Sequence, residues 1–327
     1  MISDIPLPTL PGPFGPIRSV SSFTVFLVLA FAIAFYLAPK ELRRRNLAVP
    51  VADHVILLSI IGGMFGAKLG YVFEIWHSIW IVVDSPLQTV WYLIRYYDGM
   101  AKLVPGAFGF WQTLLSGGGL VFYGGFIVAV GLVSVYFKRQ RLSFVVYGDV
   151  FAMMIALGYG IGRLGCMVSG DGCFGYKASL HLPWLTMVYG PKSVIPSAGV
   201  RVWNTPLIEA LLSLLLFSWY WLKARFIRFR PGFFISLFLI YDGLCRFLIE
   251  FLRINDAIIP VLDHPAIGGQ PLLHHNDALP DALYFTHWHW YGFTQSQIVG
   301  GFLFVMGMIW MIRSKLYRKE TDADTKL

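Results

Sequence analysis

Apolar side chains run along this chain in blocks of about 18 residues or more, and a polar or basic stretch separates each block from the next. A helix rising about 1.5 Å per residue needs roughly 20 such residues to cross a hydrocarbon core of about 30 Å. The pattern predicts an all-α membrane protein, a single integral membrane domain over residues 1–327, with seven transmembrane helices. They fall near 22–39, 51–75, 118–137, 145–167, 204–222, 232–252 and 293–312.

The basic residues then orient the bundle. Clusters follow each odd-numbered block: Lys40 with Arg43 to Arg45, Lys138 with Arg139 and Arg141, Lys223 with Arg225, Arg228 and Arg230, and Arg313 with Lys315, Arg318 and Lys319. Of 26 basic residues, 16 fall on that side, seven on the other and three inside blocks. Because cytoplasmic loops carry the excess of Lys and Arg, this predicts an outer N-terminus, a cytoplasmic C-terminus and an odd number of crossings. Three loops on the outer face, near 76–117, 168–203 and 253–292, are too long to be simple turns. The first holds an amphipathic run around Arg95, suited to lying in the membrane interface.

Composition agrees: 57% of residues are hydrophobic and only 13% charged, against about 25% charged in soluble domains. The net charge of +8 is accounted for by juxtamembrane clusters facing anionic lipid, which sets aside nucleic acid as a partner and makes membrane lipids one. The basic run follows the first apolar block rather than preceding it, so that block reads as an uncleaved span and not a signal peptide. Cys166, Cys173 and Cys245 match no disulfide framework or zinc spacing and read mainly as packing residues. His264, His274, His275, His287 and His289 are placed more like part of an interfacial aromatic belt than a ligand set, so neither metal nor cofactor is expected. Gly62, Gly66 and Gly70, and again Gly158 and Gly162, recur every four residues and predict close helix contacts.

Charged groups inside the apolar blocks carry the chemistry. Each costs at least about 2.5 kcal/mol to insert and so needs a partner or a role. Arg163 opens the glycine-dense stretch Gly162 to Gly175, where a wet cavity beside a guanidinium would favour phosphate. Arg246, Glu250 and Arg253 stand at i, i+4 and i+7, which predicts one shared helix face with Glu250 orienting one or both arginines toward an anion. Glycines bracket Tyr123 at the start of the third block, while Lys68, Asp149 and Glu209 are lesser candidates, Asp149 as a helix-end feature.

Taken in order, Tyr123-Gly124-Gly125, Gly162 to Gly175, Asn204-Thr205-Pro206-Leu207-Ile208-Glu209, Arg246 to Arg253 and Gln297 make the chain resemble the prolipoprotein diacylglyceryl transferases along nearly its whole length. The resemblance implies a multi-pass enzyme of the bacterial inner (cytoplasmic) membrane. Its partners would be phosphatidylglycerol and prolipoprotein signal peptides with a lipobox cysteine. The diacylglyceryl group would pass to that cysteine's thiol, forming a thioether and releasing glycerol phosphate. Arg163, Arg246 and Tyr123 would be catalytic. Substrate would be held by Lys68, Gly124, Gly125, Cys166, Ser169 and Asp171, together with Gly175, Glu209, Glu250 and Arg253.

Departures from the family pattern bear on catalysis more than on fold. Tyr123 stands where many members have histidine, and a phenol with a pKa near 10 is a poor base at neutral pH. Either Tyr123 only hydrogen-bonds lipid, or another group takes the thiol proton, or activity is altered. Cys166 replaces an asparagine, Phe23 and Ile208 replace tyrosines, Asp242 aligns with a tyrosine, and Lys68 replaces arginine. A noncatalytic phospholipid-binding or lipid-translocating paralogue is the alternative. A small-molecule transporter is disfavoured, because the chain shows no repeated halves.

Overall fold

The computed structural model describes residues 4–10, 17–80, 122–197, 199–253, 257–260 and 292–317. The amphipathic run near Arg95 and the late histidines lie outside these residues. Seven α-helices are present among them: α1 Ser22–Arg44, α2 Val51–Trp80, α3 Phe122–Arg139, α4 Phe144–Ser169, α5 Thr205–Leu222, α6 Phe233–Ile249 and α7 Gln295–Arg313. Three two-stranded antiparallel pairs accompany them: β1 Asp4–Leu10 with β2 Ile17–Ser21, β3 Thr186–Val188 with β4 Arg201–Trp203, and β5 Ala257–Pro260 with β6 Gly292–Thr294. Among the described residues four helices are long and apolar enough to cross a membrane: α1, α4, α7, and α5 extended to Phe226 by a short 3₁₀ turn.

Burial is inverted relative to a water-soluble protein. Val28, Phe35, Leu215 and Phe302 are exposed on their helices, whereas Glu41, Asp149, Arg163, Glu209, Arg246 and Glu250 are buried. In water such an apolar surface would be a large unsatisfied patch; a hydrocarbon solvent removes that penalty and drives charges to the bundle interior.

The chain divides into two compact units, Leu42–Phe144 and Met1–Glu41 with Val145–Leu327. In the first, small residues bring α2 and α3 together. A Cβ on Gly124 would strike the Gly66 carbonyl and lie 2.9 Å from Gly70 Cα; one on Gly125 would lie 2.7 Å from the Gly63 carbonyl; one on Gly62 would lie 2.8 Å from Ala129 Cα. The expected four-residue glycine repeat on α2 is therefore a backbone-approach seam.

In the second unit, α1, α4 and α5 meet around Ala30, Leu157 and Ile161, with Phe26 and Leu214 packed against them. Gly160 and Gly165 make the close approaches on α4, to Leu214 and Phe26 respectively, while Gly158 and Gly162 face open space. That part of the glycine expectation is corrected: the repeat is present, but the close approaches are made by two other glycines of the same helix. The helices α6 and α7 cross at Gly243, Gly300 and Gly307.

One helix start is fixed by a side chain from another helix and one by its own cap. The first residues of α6 have no cap of their own, because Gly232 occupies the cap position at φ 98°. Asp149 from α4 fills the role, its carboxylate accepting from Gly232 N at 2.7 Å and Ile235 N at 3.0 Å. A buried anion at a helix N-terminus is favourable on both hydrogen-bond and dipole grounds. Thr294 caps α7 in a reciprocal box with Gln297.

Gly243→Val should lower the stability of the detergent-solubilised protein by about 1–3 kcal/mol, because a side chain there drives into Phe304 N at 2.7 Å. Gly158→Ala, facing open space, should hold or raise the thermal unfolding midpoint measured in the same micelles.

Candidate active site

Asn204-Thr205-Pro206 starts α5. The Asn204 side chain accepts from Leu207 N, Pro206 sits in the first turn where its missing N–H is no loss, and Thr205 Oγ1 donates to the Cys173 carbonyl at 2.6 Å. The Asn204 amide also donates to the Trp184 carbonyl at 2.9 Å, and Tyr189 Oη donates to Asn204 Oδ1 at 3.1 Å. Burial pushes the Tyr189 phenol above its ordinary range, so it stays a neutral donor to that amide. This start places Glu209 one turn inside α5, buried and facing α4 and α6.

Glu209 receives three arginines. Arg163 Nε on α4 lies 2.6 Å from Oε2, Arg246 Nη1 on α6 lies 3.6 Å from the same oxygen, and Arg253 Nη1 lies 3.5 Å from Oε1. Tyr159, one turn before Arg163, donates its hydroxyl hydrogen to Glu209 Oε2 and accepts from Arg163 Nε at 3.0 Å. Its ring also lies beneath two cations, with Arg163 Cζ at 5.1 Å and Arg246 Cζ at 5.3 Å from the centroid. Each such cation–ring contact contributes on the order of 1 kcal/mol or more once water is excluded.

Arg253 is held differently from the expected helical ladder. The α-helix stops at Ile249, residues Glu250 to Leu252 form a 3₁₀ turn, and Arg253 is extended. It pairs with Gly175 in an antiparallel bridge, and Tyr176 N donates to the Leu252 carbonyl at 3.0 Å. A Cβ on Gly175 would run into that carbonyl, so glycine is required for the approach. Glu250 pairs with one of the two expected arginines, Arg253. Its Oε1 accepts from Thr294 Oγ1 at 2.9 Å, and Oε2 stands 4.0 Å from Arg253 Nε. Glu209, from a separate helix, ties the arginines together.

The remaining expected residues divide. Ser169 ends α4 by donating to the Cys166 carbonyl at 3.2 Å, and Asp171 Oδ1 accepts from Cys173 N at 3.2 Å. Both shape the loop after Arg163. Gly124 and Gly125 take part in the α2–α3 seam, while the side chains of Tyr123 and Lys68 lie outside the described residues. Sequence reasoning missed Tyr159, although its position four residues before Arg163 puts both on one face of α4. It also undervalued Glu209.

A narrow crevice of about 10 Å³ lies beside the cluster, lined by Tyr159, Glu209, Arg246, Asp242, Tyr241 and Cys245 among others. Each guanidinium carries about five N–H donors, whereas a carboxylate offers about four acceptor positions. Among the described residues Arg253 Nε has no hydrogen-bond partner. Surplus donors on planar cations, held in place by a buried carboxylate, suit a phosphate.

Residues 14–313 match the family described as prolipoprotein diacylglyceryl transferase. A protein of Leptospira interrogans named phosphatidylglycerol–prolipoprotein diacylglyceryl transferase is 38% identical over 333 residues, which span 99% of this chain and 100% of that relative. Proteins of the same name from Gluconacetobacter diazotrophicus and Geobacter sulfurreducens are 29% and 28% identical, covering 67% and 76% of this chain and 68% and 84% of their own lengths.

Replacing Glu209 with Gln leaves three buried guanidinium groups without their shared anion. Glu209→Gln should cost about 3–5 kcal/mol of stability, and Tyr159→Phe only about 1 kcal/mol, in thermal unfolding of the solubilised protein.

Proposed function

From the chain's place in the prolipoprotein diacylglyceryl transferase family, to which it belongs, we infer that it transfers the diacylglyceryl group of phosphatidylglycerol to the lipobox cysteine of prolipoproteins. The observation that carries the reading to named residues is the convergence of Arg163, Arg246 and Arg253 on Glu209 inside an apolar bundle.

The reaction joins sulfur to the terminal glyceryl carbon and breaks the bond from that carbon to a phosphate oxygen. Negative charge grows on the departing phosphate monoester. Fixed cations in a dry site stabilise that charge without having to reorganise as it forms. Arg163 and Arg246, both buried and both braced by Tyr159, serve as the leaving-group stabilisers. Arg253, anchored through Gly175, contributes donors from the third side. Glu209 is a positioning residue, since its oxygens are occupied by Tyr159 and the guanidiniums.

All seven helices cross the membrane in this reading, with the N-terminus outside and the basic ends of α1, α3 and α7 in the cytoplasm. That puts Arg163, near the far end of α4, toward the outer half of the bilayer of the bacterial cytoplasmic membrane. Secreted prolipoproteins present their signal peptides on that side. The inversion of burial, with charges inside and apolar groups outside, supports this placement.

The purified protein, mixed with phosphatidylglycerol vesicles and a lipobox peptide, should add one diacylglyceryl mass to the peptide's cysteine. Arg163→Ala and Arg246→Ala should each slow transfer at least about a hundredfold. Mass spectrometry that finds phosphatidylglycerol bound but never consumed would instead identify a lipid-binding paralogue. Tyr123→Phe separates proton transfer, which would abolish activity, from lipid positioning, which would chiefly raise KM.

A further inference from the structure

The loop that follows Arg163 brings together three side chains that the transfer chemistry above does not use. Cys166 lies three residues beyond Arg163 on α4, about 4.5 Å further along the helix axis. After Ser169 the chain reverses through Gly170 at φ 63° and Gly172 at φ 85°, a left-handed pair that glycine adopts without strain. The reversal returns Asp171 and Cys173 to Cys166. The two thiol sulfurs and a carboxylate oxygen all lie within 4.8 Å of one another. Cys166 is buried, whereas Asp171 and Cys173 are half-buried, so the cluster can be reached from one side.

We propose that Cys166, Asp171 and Cys173 bind a thiophilic divalent cation of the Zn²⁺ class, with an open fourth position that takes the acceptor thiol. Zinc bonds to sulfur at about 2.3 Å and to carboxylate oxygen at about 2.0–2.2 Å, so a tetrahedral site sets neighbouring ligand atoms roughly 3.3–3.8 Å apart. The three ligand atoms, within 4.8 Å of one another, would have to draw together to reach that spacing. Three protein ligands with a fourth place open is the arrangement of catalytic rather than structural zinc. Asp171 is already oriented: its Oδ1 accepts from Cys173 N at 3.2 Å. Cys173 is tied through its carbonyl to Thr205 Oγ1, at the start of the helix that carries Glu209. The cluster is thus linked by short covalent or hydrogen-bonded paths to Arg163 and Glu209.

The role of the fourth position rests on the transferase reading. A thiol that coordinates the cation loses its proton to solvent and stays bound as thiolate. Two protein thiolates and one carboxylate already outweigh the cation's charge, which keeps the incoming sulfur electron-rich. The sulfur's electron pair then forms the bond to the glyceryl carbon, and the electrons of the carbon–oxygen bond leave with the phosphate beside the arginines. No oxidation or reduction is involved, and the released proton balances the second charge of the phosphate monoester. This supplies an activation route for the acceptor that does not depend on a histidine at position 123.

The untagged full-length protein, purified under reducing conditions, exposed to Zn²⁺ and then dialysed, should retain about one zinc per chain by elemental analysis. Cys166→Ser and Cys173→Ser should reduce this to near zero while the thermal unfolding transition persists. With Co²⁺ in place of zinc, a thiolate charge-transfer band should appear and grow when a lipobox cysteine peptide is added, but not its serine counterpart. Three results overturn the proposal: no retained metal, retention unchanged in both serine variants, or full-rate transfer by wild-type protein stripped of metal. The last leaves the transferase reading standing. A Co²⁺ band that responds to the peptide, in a loaded protein that never transfers lipid, removes the transferase reading and leaves the metal site.

Discussion

One buried carboxylate, Glu209, organises the larger unit. It draws a guanidinium from α4, another from α6 and a third from the extended segment after α6. Each of these cations would be costly alone in an apolar bundle, and a lone carboxylate there would be equally so. Gathered together they compensate one another, with Glu250 as a second carboxylate beside Arg253. On the function proposed above, the cluster serves as a receptor for an anion. Asp242 lines the same crevice and limits how much positive charge remains, so the site's preference rests on surplus hydrogen-bond donors as much as on net charge.

The surrounding fold holds that carboxylate and those cations in register. Asn204 and Pro206 fix where α5 begins and hence where Glu209 points, while Asp149 fixes the start of α6 and hence Arg246 at its other end. Gly175 lets the chain after Arg163 lie directly against the backbone at Leu252 and Arg253. Glycines on α6 and α7 let those helices touch, and Thr294 at the start of α7 anchors Glu250. A displacement of α4, α5 or α6 by a fraction of a turn would separate Glu209 from at least one guanidinium.

Much of this was legible in the sequence, for identifiable reasons. Apolar blocks and basic runs give helices because the membrane permits few alternatives. Arg163 and Arg246 stand out because charge inside an apolar block is expensive, and each lies in the cluster. Two features were not legible. The i, i+4, i+7 spacing of Arg246, Glu250 and Arg253 presumes an unbroken helix, but a 3₁₀ turn intervenes, and no residue pattern near Ile249 announces it. Likewise Glu209 meets its arginines only through tertiary packing, which local periodicity does not encode. The proximity of Cys173 to Cys166 was not legible either: spacing alone does not show that two left-handed glycines fold the chain back.

The claim that Glu209 and its arginines form a receptor for an anionic headgroup is tested most directly by lipid selectivity. Native mass spectrometry of the purified protein from mixed micelles containing equal phosphatidylglycerol and phosphatidylcholine should show preferential retention of phosphatidylglycerol, because three guanidiniums repel a choline cation. That preference should vanish in folded Arg246→Gln protein. Equal retention of the two lipids by the wild-type chain, or a preference that survives Arg246→Gln, would contradict the account.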